Sequence, residues 1–222
     1  NPIYYLITVM APDFFGNPAT RNYWFDGTYI ERVSYFGLIP LVFALFAILS
    51  LFKKTEVKIF SVIFISTIVL ATDLFVTKFF YILPIPVIST TVPTRMLSLF
   101  AFSGSVLAAF GFDHLAKEKN RKLIFIISGL ILVILGTLFL FVKVSVAQRN
   151  LILPISSLLV FIFLTFLYLR VQIKNRLFIF MILILVIVSF DLYYYFQKIT
   201  PFAPREYMYP KTPVVEFLKK DA

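Results

Sequence analysis

Six long apolar runs separated by short polar breaks organise this chain, at approximately Val33–Phe52, Ile59–Lys78, Arg95–Leu115, Leu123–Val142, Ile152–Leu169 and Leu177–Phe196. Each approaches the ~20 apolar residues that carry a helix across roughly 30 Å of hydrocarbon. Stretches such as LIFIISGLILVILGTLFLFV and LFIFMILILVIVSF carry no polar stripe of period 3.6, so they read as lipid-facing helices rather than members of a water-soluble bundle. The pattern predicts an all-α, polytopic integral membrane protein of about six transmembrane helices. Segment 79–95, FFYILPIPVISTTVPTR, is equally apolar but is interrupted by Pro84, Pro86 and Pro93. Proline removes backbone donors, and irregular backbone at membrane depth is tolerated only when buried in protein or lining a cavity, so a re-entrant or interfacial segment is expected there.

Three regions follow. Residues 1–32 form an outer loop or interfacial segment, residues 33–196 the six-helix transmembrane region, and residues 197–222 a proline-rich outer linker. Within that linker TPVVEFLKK predicts a short helix, with Thr212 as N-cap, Pro213 in the first helical position, Glu216 near the start and lysines at the end. The chain opens on Asn1 inside an apolar stretch too short to span, and it closes on what reads as the start of an extracytoplasmic domain. The expectation is a fragment of a larger protein.

Composition agrees with the pattern: 60% of the 222 residues are hydrophobic and 14% charged, too apolar for a soluble domain. The absence of cysteine excludes thiolate chemistry and disulfides, and a single histidine excludes a histidine-rich metal site. No cofactor is expected within this stretch, and the sequence leaves the use of a divalent metal undecided. The formal charge of +10 is explained by where the cations lie. Loops 53–58, 116–122 and 170–176 hold ten basic residues, whereas segments 78–95 and 143–150 carry only Lys78, Arg95, Lys143 and Arg149. Short loops dense in Lys and Arg face the cytoplasm, which puts both ends of the chain outside. Cations sorted by topology do not form a nucleic-acid stripe, so nucleic acid is excluded as a partner and membrane lipid is retained.

Candidate chemistry gathers outside. Segment 11–37 concentrates Asp13, Arg21, Asp26, Glu31 and Arg32 among Tyr23, Trp24, Phe25 and Tyr29. Acids, arginines and aromatic faces together suit a sugar or a lipid-linked phosphate, though an interfacial aromatic belt with a few charges has the same ingredients. Arg95, just after Pro93, is placed to bind a lipid phosphate or to snorkel as an anchor. Asp73 and Asp191 fall inside apolar runs, in the outer third of the membrane, with Lys78 and Lys198 as respective partners. They are read as functional acids or as braces between helices. Asp113 precedes Lys117 by four residues, the favourable direction for a helical ion pair, and Gly104, Ser105, Ala108, Ala109 and Gly111 make a small-residue seam for close packing.

Three stretches resemble YfhO-type bacterial membrane proteins, in the same order along the chain. The first carries Pro12, Asp13, Phe15, Gly16 and Asn17, then Tyr29, Ile30 and Glu31, then Tyr35, Gly37, Pro40 and Leu41. The second is PTRMLSLFAFSGSVLAAFGFDHL and the third YPKTPVVEFLK. The resemblance implies a GT-C glycosyltransferase-like architecture in the bacterial cytoplasmic membrane. It implies transfer of a sugar from a polyprenyl-phosphate carrier to a cell-envelope glycopolymer on the outer face. Arg95 and Arg21 would bind carrier phosphate, and Asp26, Glu31, Tyr23 and Trp24 would shape the sugar or acceptor pocket. The family's catalytic acid falls upstream of Asn1, so no residue here inherits that role. A transporter or flippase of lipid-linked substrates and a non-catalytic envelope-assembly protein are the alternatives.

Overall fold

The computed structural model describes residues 1–25, 27–82, 93–117, 121–199 and 212–220, and all regular structure among them is helical. The α-helices are α1 (Tyr29–Arg32), α2 (Leu38–Leu51), α3 (Thr55–Ala71), α4 (Phe75–Ile82), α5 (Leu97–Lys117), α6 (Lys122–Phe141), α7 (Ser145–Arg170), α8 (Arg176–Ile199) and α9 (Pro213–Lys220). Short 3-10 turns form at Ile3–Val9, Pro18–Thr20 and Pro93–Met96. Among the described residues four helices are long and apolar enough to cross a membrane: α5 with its preceding turn, α6, α7 and α8. Their outer faces present Leu130, Leu140, Phe163, Phe178 and Val186, and less than a fifth of the α8 span is buried in protein. Apolar surface on that scale requires lipid around it, and the protein is a multi-pass membrane protein.

The helix boundaries depart from the sequence pattern at three places, one of them α7, which begins at Ser145 where the run was expected from Ile152. The first run was expected from Val33, but α2 starts only after Gly37, whose φ of +107° is closed to other residues without strain. At 14 residues α2 is about 21 Å long. The second run does not continue as one helix to Lys78: α3 stops at Ala71, and α4 begins at Phe75. Threonine hydroxyls hold the break, with the Leu74 amide donating to Thr77 Oγ1 (3.0 Å) and Thr77 Oγ1 donating to the Thr72 carbonyl (2.8 Å). Such side chains compete with the helical ladder for backbone groups. Asp73 therefore lies in a non-helical break rather than inside a helix. Most of the expected re-entrant segment, 83–92, lies outside the described residues.

α2 is the centre of the bundle, with eight of its 14 residues buried and α3, α5, α6 and α7 against it. Gly104 and Gly111 of α5 make the closest approach. A Cβ on Gly104 would strike the rings of Phe36 and Phe64, and one on Gly111 would strike the backbone carbonyl of Phe43. Ser105 and Ala109, expected in the same seam, face outward instead, because they lie off the 104–107–111 face. Several buried hydroxyls bond within their own helices, as Ser61 does on Val57 (2.6 Å), Ser103 on Leu99 (2.6 Å) and Ser128 on Ile124 (2.8 Å), whereas the buried Thr165 hydroxyl of α7 has no partner among the described residues. Bonding of the first kind is what a medium without water requires. Asp113 pairs with Lys117 at 2.8 Å as its spacing predicts, and Thr212 caps α9 through Oγ1 to the Val215 amide (3.3 Å).

The helix ends sort into two groups. The turn Pro93–Met96 lies beside α1, the end of α8 meets Pro18–Thr20, and Asn150 of α7 reaches Asp13. At the opposite ends, Arg121 and Arg176 converge on Tyr168.

Candidate functional site

The first 25 residues fold back on themselves around aromatic rings. Tyr5, Phe15 and Phe25 pack with centroids 4.7–5.7 Å apart, Trp24 stands 5.4 Å from Phe15, and Arg32 lies 5.1 Å over the Tyr5 ring. Gly16, at φ +80°, turns the chain so tightly that a side chain would strike the Asn22 carbonyl. Asn17 then uses both ends of its amide: its Oδ1 accepts from the Ala19 amide (2.9 Å), and its Nδ2 donates to Asp13 Oδ1 (3.0 Å).

Asp13 is the hub of this arrangement and is 3% exposed. Its Oδ1 accepts from the Tyr29 hydroxyl at 2.5 Å as well as from Asn17, while Oδ2 is paired with Lys198 Nζ at 2.9 Å. Its carbonyl accepts from Asn150 Nδ2 at 2.6 Å. One residue of the first segment thus ties α1, α7 and α8 together. Burial, then the charge of Asp13 and the bond to it, hold the Tyr29 phenol well above its ordinary 10.0, so it stays protonated and donating.

A second carboxylate sits nearby on α8. Asp191 is buried, and its Oδ2 accepts from the Tyr35 hydroxyl at 2.5 Å. The same hydroxyl accepts from the Leu38 amide (3.1 Å), one of the unpaired donors at the start of α2. Tyr195, one turn beyond Asp191, packs edge-on against Tyr35 at 5.2 Å. Between the two carboxylates opens a cavity of about 270 Å³ lined by Pro12, Tyr29, Ile30, Val33, Tyr35, Leu192, Tyr195 and Phe196. Three tyrosine rings wall it, with the hydroxyls of Tyr29 and Tyr35 fixed by Asp13 and Asp191. Asp13 uses both carboxylate oxygens and Asp191 its Oδ2 on these contacts, so the two acids hold the tyrosine hydroxyls that face the cavity.

The residues expected to form the site are spread more widely. Tyr23 turns inward, bonding the Tyr5 hydroxyl at 2.9 Å and packing edge-on against Tyr29 at 5.8 Å, so it buttresses the cavity from behind. Trp24 is 39% exposed on the aromatic cluster. Arg21, Glu31 and Arg95 are exposed, and no hydrogen bond or ion pair joins them among the described residues. The turn bearing Arg95 nevertheless lies against α1, which bears Glu31. Asp26 lies outside the described residues. Asp73 pairs with Lys78 at 3.4 Å, as expected, but both are more than half exposed, and the Asp73 amide donates to the Asn1 carbonyl (2.6 Å). Lys198 was expected on Asp191 and instead pairs with Asp13, while Asp191 accepts from Tyr35. Sequence reading passed over Asn150, and it took Asn17 and Tyr35 only as marks of a family resemblance; a further signal was the spacing of Asp191, Tyr195 and Lys198, which places them on one face of α8.

Among the described residues no group of three or more His, Asp or Glu could hold a metal ion. No family model matches the chain, and no curated protein or solved structure is detectably similar to it.

Proposed function

We propose that this chain is part of the membrane core of a glycosyltransferase-like protein that moves a sugar from a polyprenyl-phosphate carrier to an envelope glycopolymer on the outer face. In this reading six segments cross the bacterial cytoplasmic membrane, segment 79–95 is re-entrant or interfacial, the basic loops are cytoplasmic and residues 1–32 lie outside. The observation that carries it is the tyrosine-walled cavity, built by the Asp13 and Tyr35 stretches that resemble YfhO-type proteins and by the end of α8. Tyrosine faces suit pyranose rings, and a cavity with fixed hydroxyls suits an amphipathic ligand. Tyr29, Tyr35 and Tyr195 take the pocket role first assigned to Tyr23, Trp24, Asp26 and Glu31, and Tyr23 packs against Tyr29 behind it. Arg21 and Arg95, exposed on that side, suit the carrier phosphate. The catalytic acid is assigned to no residue of this chain.

The test is sugar transfer from a polyprenyl-phosphate donor by the full-length protein in proteoliposomes. Tyr195→Ala and Arg95→Ala are expected to lower transfer about tenfold each, the equivalent of ~1.4 kcal/mol. Unchanged transfer in both overturns the site. A carrier flippase is the second reading, favoured by the buried Asp191 on a lipid-facing helix. Carrier movement without transfer, lost in Asp191→Asn, would establish it instead.

A further inference from the structure

We infer that the cavity between Asp13 and Asp191 takes an uncharged, hydroxyl-rich sugar headgroup and turns away an anionic one, with the Tyr195 hydroxyl as the group that selects it. This rests on reading the cavity as the sugar site, and it narrows the class of sugar. Tyr29 and Tyr35 have no proton left to give. Their hydroxyls donate to Asp13 and Asp191, and they already accept from Asn17 Nδ2 (3.2 Å) and the Leu38 amide (3.1 Å). Each phenol oxygen therefore keeps acceptor capacity only. Tyr195 differs: it is 5% exposed and lines the same cavity, yet its hydroxyl makes no hydrogen bond among the described residues. A buried hydroxyl without a partner costs free energy that a ligand can recover.

The wall thus offers acceptors in excess and a single proton to donate. An anion, which only accepts, meets one donor there and no cation. None of the described lining residues is Lys, Arg or His, and the Lys198 ammonium is committed to Asp13 at 2.9 Å. The carboxylates of Asp13 and Asp191 stand directly behind the tyrosine hydroxyls, so negative charge in the cavity would be repelled. Sugar hydroxyls both donate and accept, which complements all three phenols, and the tyrosine faces pack on the apolar face of the ring. Depth agrees with such a ligand on a lipid tail. Leu192 lies about 24 Å along α8 from Arg176, near the outer limit of ~30 Å of hydrocarbon, and it and Ile30 are exposed at the rim. A headgroup held at this level leaves its hydrocarbon chain in the bilayer beside α8.

The test titrates the full chain in phosphatidylcholine nanodiscs with octyl glucoside and octyl glucuronide, a pair that differs by one carboxylate. Calorimetry is the readout, with the heat from empty nanodiscs subtracted. The glucoside is expected to bind, and the glucuronide to bind about tenfold more weakly or less. Tyr195→Phe keeps the ring and should weaken the glucoside about fivefold, whereas Tyr193→Phe, on an exposed part of the same helix, should not. Leu192→Trp fills the cavity and should abolish binding. Absence of glucoside binding, equal affinity for the two glycosides, equal effects of the two Tyr→Phe variants, or full binding in Leu192→Trp overturns the inference. Binding is read without catalysis, so the two readings fail separately. Selective binding without sugar transfer by the full-length protein supports this site and overturns the transferase; transfer without the selectivity does the reverse.

Discussion

Asp13 joins parts of the chain 16, 137 and 185 residues apart, through Tyr29, Asn150 and Lys198. Asp13→Asn keeps the shape and removes the charge, leaving the Lys198 ammonium, itself 17% exposed, without its counter-ion. Destabilisation of about 3 kcal/mol is expected, read from denaturant unfolding in detergent, with part recovered when Lys198→Met is added. Tyr29 makes a second test. Its raised phenol keeps its stabilising effect below the ordinary 10.0, and that effect declines as pH rises past this value, where the unfolded chain ionises and the folded one does not. Phenolate absorbance near pH 10.0 should accordingly be the same in the native protein and in Tyr29→Phe. Individual acids were visible in the sequence as costly residues in an apolar chain, but their partners were not. Asp191 sits 156 residues from Tyr35, and no local spacing encodes a bond of that reach.

Packing between helices rests on glycine in one place and is indifferent to it in another. Gly111→Ala pushes a methyl group onto the Phe43 carbonyl and is expected to destabilise α2 against α5 by about 1–3 kcal/mol. Gly129→Ala on α6 meets nothing within 4 Å, and it should be neutral or stabilise by up to about 1 kcal/mol through helix propensity. Thermal unfolding of the two variants side by side separates these outcomes. Helix type was legible because each run is long and uniformly apolar; of the six expected spans, four helices among the described residues are long and apolar enough to cross a membrane. The break at Thr72–Leu74 was not, since it is made by hydroxyls bonding backbone a few residues away within an otherwise apolar run. Nor could composition show that Ser105 and Ala109 face away from the neighbours that Gly104 and Gly111 meet.

Over the whole molecule, the expected sidedness has a direct check, because the natural chain contains no cysteine. Single Lys54→Cys and Lys174→Cys variants should react with a membrane-impermeant maleimide only after the cells are opened, and Lys143→Cys should react in intact cells. The reverse pattern would invert the orientation argued from the positive-inside rule. Charge placement and apolar runs made the membrane class readable, whereas the tyrosine-walled cavity exists only once the first segment and the last long helix have met. The short α2 carries a consequence for biogenesis. At 14 residues it is too brief to hold itself across a bilayer, yet it is the most enclosed helix. Its glycine-bearing partner α5 is complete only about 65 residues later, roughly 3–13 s at 5–20 residues per second. During that interval α2 has to be sheltered by the insertion machinery, and the order of synthesis becomes part of how this fold is reached.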